Sequence, residues 1–320
     1  MRTFKSSELK TFEQLVSLRQ GALKKLMASY LQRYYKKVVE TKTYIICEGE
    51  IPVGLVAHLD TVFPHPPQEV FFDPCHNVVF SPQGLGADDR AGVFAILKII
   101  QSGLRPHIIL TTDEEIGGIG ASDLGLQECP FKDLRYLIEL DRRGSNDCVF
   151  YDCDNKDFID YIENFGFTTA WGTFSDISLL CPDWGVAGVN LSVGYRDEHT
   201  KQEILFVGQL LATIDKVKQM LLEKDIPTFE YIPGPYYHFW DITNSKGNKL
   251  NKCIRCRQYF MEEELIPTLS KNNKTVFYCS DCVVDNVAWC GHCGNAYEKT
   301  SKNEATVGLC GKCKEAKVDV

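Results

Sequence analysis

Apolar runs of four to six residues recur along the first two thirds of the chain, and each has the length and composition of a buried strand. They cover residues 44–47, 53–57, 107–112, 136–140 and 186–191, with a shorter candidate at 77–80. Apolar residues spaced three and four apart predict helices at about 7–40, 93–100 and 205–222. Strands that alternate with helices predict an α/β fold, here a three-layer sandwich with a mostly parallel central sheet.

The length of 320 residues allows one large domain and a small second one. Hydrophobic residues make up 44% of the chain and charged residues 24%, as in ordinary soluble globular proteins. The first residues form a polar helical pattern instead of an apolar signal core, and no apolar run approaches the length that crosses a bilayer. We therefore expect a cytoplasmic protein without a membrane segment.

Cysteine spacing sets the C-terminal part of the chain apart. Eight of the 14 cysteines form four Cys-x-x-Cys pairs, which are Cys253 with Cys256, Cys279 with Cys282, Cys290 with Cys293, and Cys310 with Cys313. Such pairs in a chain without a leader indicate structural zinc in a reducing compartment. Pairing the first with the second and the third with the fourth predicts two zinc ribbons, while an interleaved cross-brace is the alternative. Few apolar residues accompany these cysteines, so bound zinc would supply most of the folding free energy.

These patterns divide the chain at two points. Residues 1–225 form the predicted α/β domain, residues 226–248 a linker rich in proline and aromatic residues, and residues 249–320 the double zinc-ribbon module. The aromatic residues of the linker are expected to pack it onto the first domain.

Charge gives the C-terminal module no strong preference for nucleic acid. Residues 243–320 contain 12 Lys and Arg and 9 Asp and Glu, within a chain whose net charge is −8. Eight zinc-bound thiolates and two zinc ions would bring this small positive excess close to neutrality. We expect the ribbons to contact protein, either the substrate or another subunit, and we do not expect nucleic acid or membrane as a partner.

Imidazole and carboxylate side chains follow the predicted strands or open the predicted helices. In chain order they are His58 and Asp60, Asp88 and Asp89, Glu114 and Glu115, Asp141 and His199. Taken singly, each has an ordinary explanation as a helix cap, a solvated turn or a surface charge. Because the carboxyl ends of parallel strands meet at one edge of a sheet, the set can converge on a site for two metal ions. A further acid that holds no metal could then deprotonate a coordinated water.

Four segments of this set resemble the co-catalytic di-zinc exopeptidases, the group that holds peptidase T-like enzymes and bacterial leucyl aminopeptidases. They are His-Leu-Asp-Thr-Val at 58–62, Gly-Ala-Asp-Asp-Arg-Ala-Gly at 86–92, Asp-Glu-Glu-Ile-Gly at 113–117, and the late His199. The resemblance covers about residues 40–222. It implies a zinc-dependent hydrolase, a metallopeptidase such as an aminopeptidase.

The resemblance implies a ligand set for two zinc ions, with Mn or Co as alternative metals. Asp88 would bridge the two ions. His58 and Asp141 would complete one site, and Glu115 and His199 would complete the other.

The resemblance also implies two supporting roles and a mechanism. Two metals would polarise the scissile carbonyl and lower the pKa of the bridging water. Glu114 would be the general base that takes a proton from this water and later delivers it to the leaving amine. Asp60 would orient His58, and the peptide bond after Asp88 is expected to be cis.

Some features differ from the family's pattern. The 58 positions from Asp141 to His199 are too few for the lid or dimerisation domain of many relatives, so a single-domain architecture is expected. Arg90 stands where many relatives have Lys. Between the two ligands, Ser175 and Asp176 resemble a Ser-Asp turn of the single-domain enzymes, and Asp176 has either a supporting role or that of a helix cap.

The substrate stays open between a peptide and an N-acyl amino acid. Arg142, Arg143 and Arg196 lie near predicted ligands and could bind a substrate carboxylate, but a solvated position explains them as well. An aminopeptidase, a carboxypeptidase and a deacylase could all use this centre. An inactive hydrolase-like adaptor that acts through its zinc ribbons is a further alternative, against which the complete ligand set and Glu114 argue.

Overall fold

The computed structural model describes residues 2–234, 242–243, 249–255, 259–270, 275–299 and 305–315 of the chain. These residues belong to two compact units, which comprise residues 1–234 and residues 235–320. None of the helices in the described ranges combines the length and the apolar character that a membrane crossing requires.

The first unit is built on an eight-stranded sheet of mixed strand direction. In the order in which they lie side by side, its strands are Val38–Glu40 (β1), Tyr44–Cys47 (β2), Pro106–Thr111 (β6), Ile51–His58 (β3), Tyr136–Arg142 (β7), Gly188–Ser192 (β10), Asp147–Val149 (β8) and Thr168–Thr169 (β9). The four neighbours β6, β3, β7 and β10 run parallel. The pairs β1–β2, β2–β6 and β8–β10 are antiparallel, and β8 pairs parallel with β9. The centre of the sheet therefore has the predicted parallel arrangement.

A second sheet and seven helices complete this unit. The sheet contains four antiparallel strands in the order β11-β12-β5-β4, namely Tyr195–Arg196 (β11), Ile204–Phe206 (β12), Val78–Phe80 (β5) and Phe71–Asp73 (β4). The helices are Ser6–Val16 (α1), Gln20–Leu31 (α2), Ala87–Gln101 (α3), Ile119–Gly125 (α4), Lys156–Glu163 (α5), Ile177–Trp184 (α6) and Val207–Leu221 (α7).

Side chains of the central strands alternate between two apolar clusters. Leu55 and Ala57 of β3 belong to the larger cluster, with residues of α1, α2, α3 and α7, whereas Val56 belongs to a smaller cluster with residues of α4 and α6. The same alternation separates Leu137 from Ile138 in β7. Successive strand residues point to opposite faces, so the sheet is buried on both sides. Burial on both sides explains why these strands are unbroken apolar runs in the sequence.

The single helix predicted from about residue 7 to residue 40 is wrong. Two helices, α1 and α2, occupy most of this range, and its last residues form β1, which pairs with β2. The chain leaves the helical path after Val16, where the hydroxyl of Ser17 donates to the carbonyl of Glu13 (2.6 Å) and buried Arg90 donates to the carbonyl of Leu18 (3.0 Å). A contact with a residue more than 70 positions away cannot be read from local periodicity.

The helix predicted at 205–222 begins two residues later than expected. Leu205 and Phe206 belong to β12, which pairs with β5, and α7 begins at Val207. Phe229, in the predicted linker, is buried in the first unit, with its ring centroid 4.9 Å from that of Phe158. The packing expected of the linker's aromatic residues is therefore confirmed for Phe229. Four further aromatic residues of that segment lie outside the described residues: Tyr236, Tyr237, Phe239 and Trp240.

The described residues of the second unit form two small sheets and short helices. A three-stranded sheet is formed by Ile242–Thr243 (β13), Lys249–Lys252 (β14) and Tyr259–Met261 (β15). A five-stranded sheet has the order β17-β16-β19-β18-β20, with Leu265–Leu269 (β16), Thr275–Cys279 (β17), Val287–Cys290 (β18), Ala296–Glu298 (β19) and Val307–Gly308 (β20). A 3-10 turn spans Glu262–Glu264, and the helices are Ser280–Asn286 (α8) and Gly311–Glu315 (α9).

Candidate metal centre and adjoining pocket

Five side chains converge at the carboxyl edge of the parallel strands. His58 ends β3, Asp141 lies near the end of β7, and Glu115 follows β6 in the next loop. Asp88 lies in the first turn of α3, and His199 lies in the loop between β11 and β12. Parallel strands place their carboxyl ends at one edge, so residues distant in the chain meet there.

Asp88 lies between two groups of imidazole and carboxylate atoms. Its Oδ1 is 3.0 Å from Nε2 of His58, which is also 3.6 Å from Oδ1 of Asp141. Its Oδ2 is 3.1 Å from Nε2 of His199, which is 2.9 Å from Oε2 of Glu115. Within each group, the three potential ligand atoms all lie within 4.8 Å of one another. The structure thus brings together all five sequence-predicted ligands, in two groups that share Asp88.

Asp60 connects the first group to the loop of the paired glutamates. Its Oδ1 lies 3.3 Å from Nδ1 of His58. Its two carboxylate oxygens accept the backbone N–H groups of Glu114 (3.1 Å) and Glu115 (3.0 Å). One side chain therefore contacts the His58 ring on the side opposite Nε2 and also fixes the backbone that carries both glutamates.

The backbone around Asp88 has a specific conformation. The peptide bond between Asp88 and Asp89 is cis, as expected. Buried Asp89 accepts the N–H groups of His58 (3.3 Å) and Gly92 (2.9 Å). A side chain on Gly92 would collide with the carbonyl of Leu140, so glycine lets the start of α3 lie directly against β7.

Asp141 is contacted by three side chains, of which the sequence analysis named only Ser175, as part of the Ser-Asp turn. Asn190 of β10 accepts the N–H of Asp141 (3.0 Å) and donates to its carbonyl (2.8 Å). The hydroxyl of Tyr195 donates to Oδ1 of Asp141 (2.9 Å), and Oγ of Ser175 lies 3.5 Å from Oδ2. An amide side chain inside the otherwise apolar run 186–191 is the one sequence signal that could have indicated Asn190.

Asp176 is fully buried beside this site, but its side chain does not cap α6. Its carboxylate accepts the hydroxyl hydrogen of Thr111. The N–H of Asp176 and that of Ile177 are instead accepted by buried Glu139 of β7, at 3.2 and 3.4 Å. Of the two roles considered for Asp176, side-chain capping of α6 is therefore not seen, and Glu139 satisfies the N–H groups at the start of this helix.

Crowding of the acids shifts their pKa values. Burial raises the pKa of Glu114 to about 7 and that of Glu115 to about 8, and the charge of Asp88 adds to both shifts. Burial, with the charge of Asp88 next, raises the pKa of Asp141 to about 7. Burial lowers the pKa of His58, but the neighbouring carboxylates outweigh it and raise that pKa well above its ordinary value. These raised pKa values show that added positive charge, from protons or from cations, stabilises the cluster.

The residues fit divalent metal ions on three grounds. The donors are imidazole nitrogens and carboxylate oxygens, which zinc and related metals accept. Oε1 of Glu115 is buried and has no hydrogen-bond partner in the described part of the chain, although a buried oxygen normally has one. The excess of acids over bases within a few ångströms would be stabilised by cations.

Comparison with known proteins identifies the fold. No family model and no curated protein matches the chain. A tripeptidase of Staphylococcus aureus superposes with a TM-score of 0.55 at 15% identity, over 67% of this chain and 96% of its own. The aminopeptidase PepT of Bacillus cereus gives 0.54 at 15% identity, over 67% and 97%. An aminopeptidase of the archaeon Desulfurococcus kamchatkensis gives 0.55 at 14% identity, over 69% and 96%.

The chain has the fold of these aminopeptidases. At 14% to 15% sequence identity, the similarity shows a shared fold and does not show a shared activity. Substrate and activity therefore have to be argued from the site itself.

The arginines named as candidate carboxylate binders have partners of their own. Arg143 pairs with Glu198 (3.1 Å), and the guanidinium of Arg196 lies over the ring of Phe206, 5.2 Å from its centroid. Arg142 donates to the carbonyl of Trp171 (3.0 Å).

A pocket of about 530 Å³ adjoins the metal centre, and Asp60 and Glu115 form part of its wall. The rest of its wall comes from Val16 and residues 18–21 at the junction of α1 and α2, from residues 61–67 after β3, from the loop after β6, and from Leu85, Gly86 and Arg90 around the start of α3. This volume lies within the range of small-ligand sites in proteins.

Cysteines of the second unit form two groups. One contains Cys290, Cys293, Cys310 and Cys313, and the Sγ atoms of Cys293 and Cys310 are 3.8 Å apart. The other contains Cys253, Cys279 and Cys282, whereas Cys256 lies outside the described residues. This grouping follows the sequential pairing of the Cys-x-x-Cys motifs. Nδ1 of His292 is 3.7 Å from Sγ of Cys313.

Proposed function

We propose that the first unit is a di-zinc metallopeptidase that hydrolyses a peptide bond near a chain terminus. The observation that carries the proposal is the position of Asp88, whose two oxygens each face a different group of one imidazole and one carboxylate. Glu114 lies beside them as an acid that neither group includes. The aminopeptidase fold supports the proposal without deciding the substrate. We further infer a three-layer arrangement of this unit, from the two apolar clusters on the faces of its sheet.

His58, Asp88 and Asp141 would hold one ion, and Asp88, Glu115 and His199 the other. Bound zinc, or Mn or Co in its place, would supply Lewis-acid catalysis at the scissile carbonyl.

The remaining chemistry belongs to side chains of the protein. A carboxylate of Glu114 would take a proton from the attacking water, whose oxygen forms the new bond to the carbonyl carbon. It would then transfer that proton to the amine nitrogen as the carbon–nitrogen bond breaks. Asp60 would keep Nε2 of His58 directed at its ion through its contact with Nδ1.

The second unit, in this proposal, holds two structural zinc ions. Cys290, Cys293, Cys310 and Cys313 would bind one of them. Cys253, Cys279 and Cys282, with Cys256 of the same motif pair, would bind the other. Paired free thiols suit a reducing compartment such as the cytoplasm. The unit would then present its zinc-ribbon surface to a protein partner.

The central experiment compares Glu114→Gln with the parent protein, both loaded with zinc. We expect kcat on a terminal-peptide library to fall at least about 100-fold, because general acid–base catalysis contributes that much or more. Metal content should stay unchanged, since neither ligand group includes Glu114. Glu128→Gln is the matched control, because it makes the same charge change at an exposed position.

Substrate panels separate the alternatives. Free peptides, peptides with blocked amino termini and N-acyl amino acids distinguish an aminopeptidase, a carboxypeptidase and a deacylase. Undiminished hydrolysis by Glu114→Gln would contradict the proposed mechanism. A zinc-loaded parent protein that hydrolyses no member of any panel would favour the inactive adaptor.

A further inference from the structure

The loop between α1 and α2 is held in place beside the metal centre by contacts on both sides of Arg19. On one side, the carbonyl of Leu18 accepts a hydrogen bond from buried Arg90 (3.0 Å). On the other side, the amide of Gln20 donates to Oδ1 of Asp113 (2.9 Å) and accepts the N–H of Asp113 (3.2 Å). Asp113 directly precedes the paired glutamates of the proposed centre. The backbone of Arg19 is therefore anchored to the loop that carries the paired glutamates.

Arg19 lines the pocket next to the centre. Its guanidinium lies 3.1 Å from Nδ1 of His65, another pocket residue, and the Arg19 side chain is exposed to the pocket solvent. Within the described part of the chain, no carboxylate lies within ion-pair distance of this guanidinium. Val62, Phe63 and Ile116 contribute apolar side chains to the same pocket wall.

The acids that share this pocket already have partners. Asp60 interacts with His58 and with two backbone N–H groups. Asp113 accepts from the amide of Gln20 (2.9 Å) and the hydroxyl of Thr112 (3.1 Å). Glu115 lies 2.9 Å from His199. The other arginine of the pocket wall, Arg90, is buried and donates to the carbonyls of Leu59 and Leu18, so Arg19 is the arginine that is left to complement a negative charge brought by a ligand.

We propose that Arg19 binds a carboxylate of the substrate and so determines specificity. The inference rests on the proposed function, because it takes the pocket to be the part of the active site that holds the substrate. A guanidinium can bind both oxygens of a carboxylate, and His65 would help to hold its plane. The pocket volume suits a short peptide, and the pocket wall includes both Arg19 and Glu115 of the proposed centre.

Two sources of the carboxylate are separable by substrate. The terminal carboxylate is tested with Ala-Ala-Ala and its C-terminal amide. A side-chain carboxylate is tested with amidated tripeptides that carry Glu or Gln at each position in turn. A preference for the free acid identifies the first source, and a preference for Glu over Gln identifies the second.

The experiment measures kcat and KM of the zinc-loaded full chain for Arg19→Gln, Arg19→Lys and the control Arg33→Gln. Arg33 is exposed and does not line the pocket. For the carboxylate-bearing peptide, Arg19→Gln should raise KM about tenfold to hundredfold with little change in kcat, since a hydrogen bond to a charged group is lost. Arg19→Lys should recover part of the loss. Neutral peptides and the control should keep the parent values.

Equal effects of Arg19→Gln on charged and neutral peptides, or no effect on either, would overturn the inference. Its failure is distinct from a failure of the proposed function. If the parent protein cleaves none of the peptides, calorimetry of Ala-Ala-Ala and its amide with the parent and with Arg19→Gln tests whether Arg19 binds a carboxylate. Binding of the free acid that Arg19→Gln weakens selectively supports a carboxylate site without catalysis. Binding that is equal for acid and amide, or absent, refutes it.

Discussion

The carboxylate of Glu203 accepts the backbone N–H of Asp88 at 2.9 Å, across 115 positions of sequence. Its other oxygen accepts the N–H of Gly86, and the side chain is almost completely buried. Glu203 therefore holds the turn that directs Asp88 toward both histidines. No sequence motif indicated this residue.

Glu203→Ala should destabilise the protein and weaken metal binding together. It leaves two buried N–H groups without an acceptor, which should lower the free energy of unfolding by about 3 kcal/mol. Loss of support for a ligand should reduce metal affinity about tenfold to hundredfold. Denaturant unfolding and competition with a chelator measure the two effects. Gln202→Ala, an exposed neighbour, is the control, and equal behaviour of the two variants would show that Glu203 has no positioning role.

Metal stoichiometry tests whether Asp88 is shared. Four groups of ligand atoms predict four ions in the parent chain. His58→Ala and His199→Ala should each lose one ion, whereas Asp88→Ala should lose two because it belongs to both groups. Quantification of metal after gel filtration, with exposed His76→Ala as the control, gives the counts. Loss of a single ion from Asp88→Ala would contradict a bridging role.

Stability should depend on pH through His107, which lies at the start of β6, at the end of this strand opposite to the loop that carries Glu115. Burial lowers the pKa of His107 below its ordinary value of 6.5, although Asp133 and Glu48 act in the opposite direction. Its Nδ1 accepts the N–H of Gly49 (3.0 Å), and its ring stacks on Phe131. Below about pH 6.5, His107 therefore binds a proton more readily in the unfolded chain than in the folded chain, so the free energy of unfolding falls as the pH drops.

The measurement is the free energy of unfolding of zinc-loaded protein between pH 8 and pH 5. His107→Gln, which retains an acceptor but cannot titrate, should lose less stability over this range than the parent. Exposed His76→Gln should follow the parent. Parallel curves for His107→Gln and the parent would show that His107 contributes nothing to the pH dependence.

Removal of zinc should unfold the second unit selectively. Its apolar clusters are small, and two of the three contain buried cysteines. Because these clusters bury few apolar side chains, metal binding should supply most of the folding free energy of the unit. Cys279→Ser and Cys310→Ser in the whole chain should each lose one tightly bound zinc and the hydrogen-exchange protection of β16 to β19. Cys75→Ser, at an exposed cysteine of the first unit, should change neither, and protection that survives in the two variants would exclude the structural role.

Local sequence pattern was sufficient for much of the fold. The runs at 44–47 and 136–140 are strands because continuous apolar side chains can be buried on both faces of a sheet. Local pattern failed where a distant group competed with it. Arg90 donates a hydrogen bond to the carbonyl of Leu18, in the loop where the predicted single helix is broken into α1 and α2. Leu205, which periodicity assigned to a helix, instead lies in a strand that pairs with β5.

For the candidate site, the sequence by itself determined the order and type of the potential ligands. His58, Asp88, Glu115, Asp141 and His199 follow strands or open a helix, and strand ends of a parallel sheet must meet at one edge. Only the tertiary structure decided which side chains support them. The contacts of Glu203 with Asp88, of Tyr195 with Asp141 and of Gln20 with Asp113 join separate segments of the chain. Such contacts depend on the packing of whole elements, which leaves no periodic signal in the sequence.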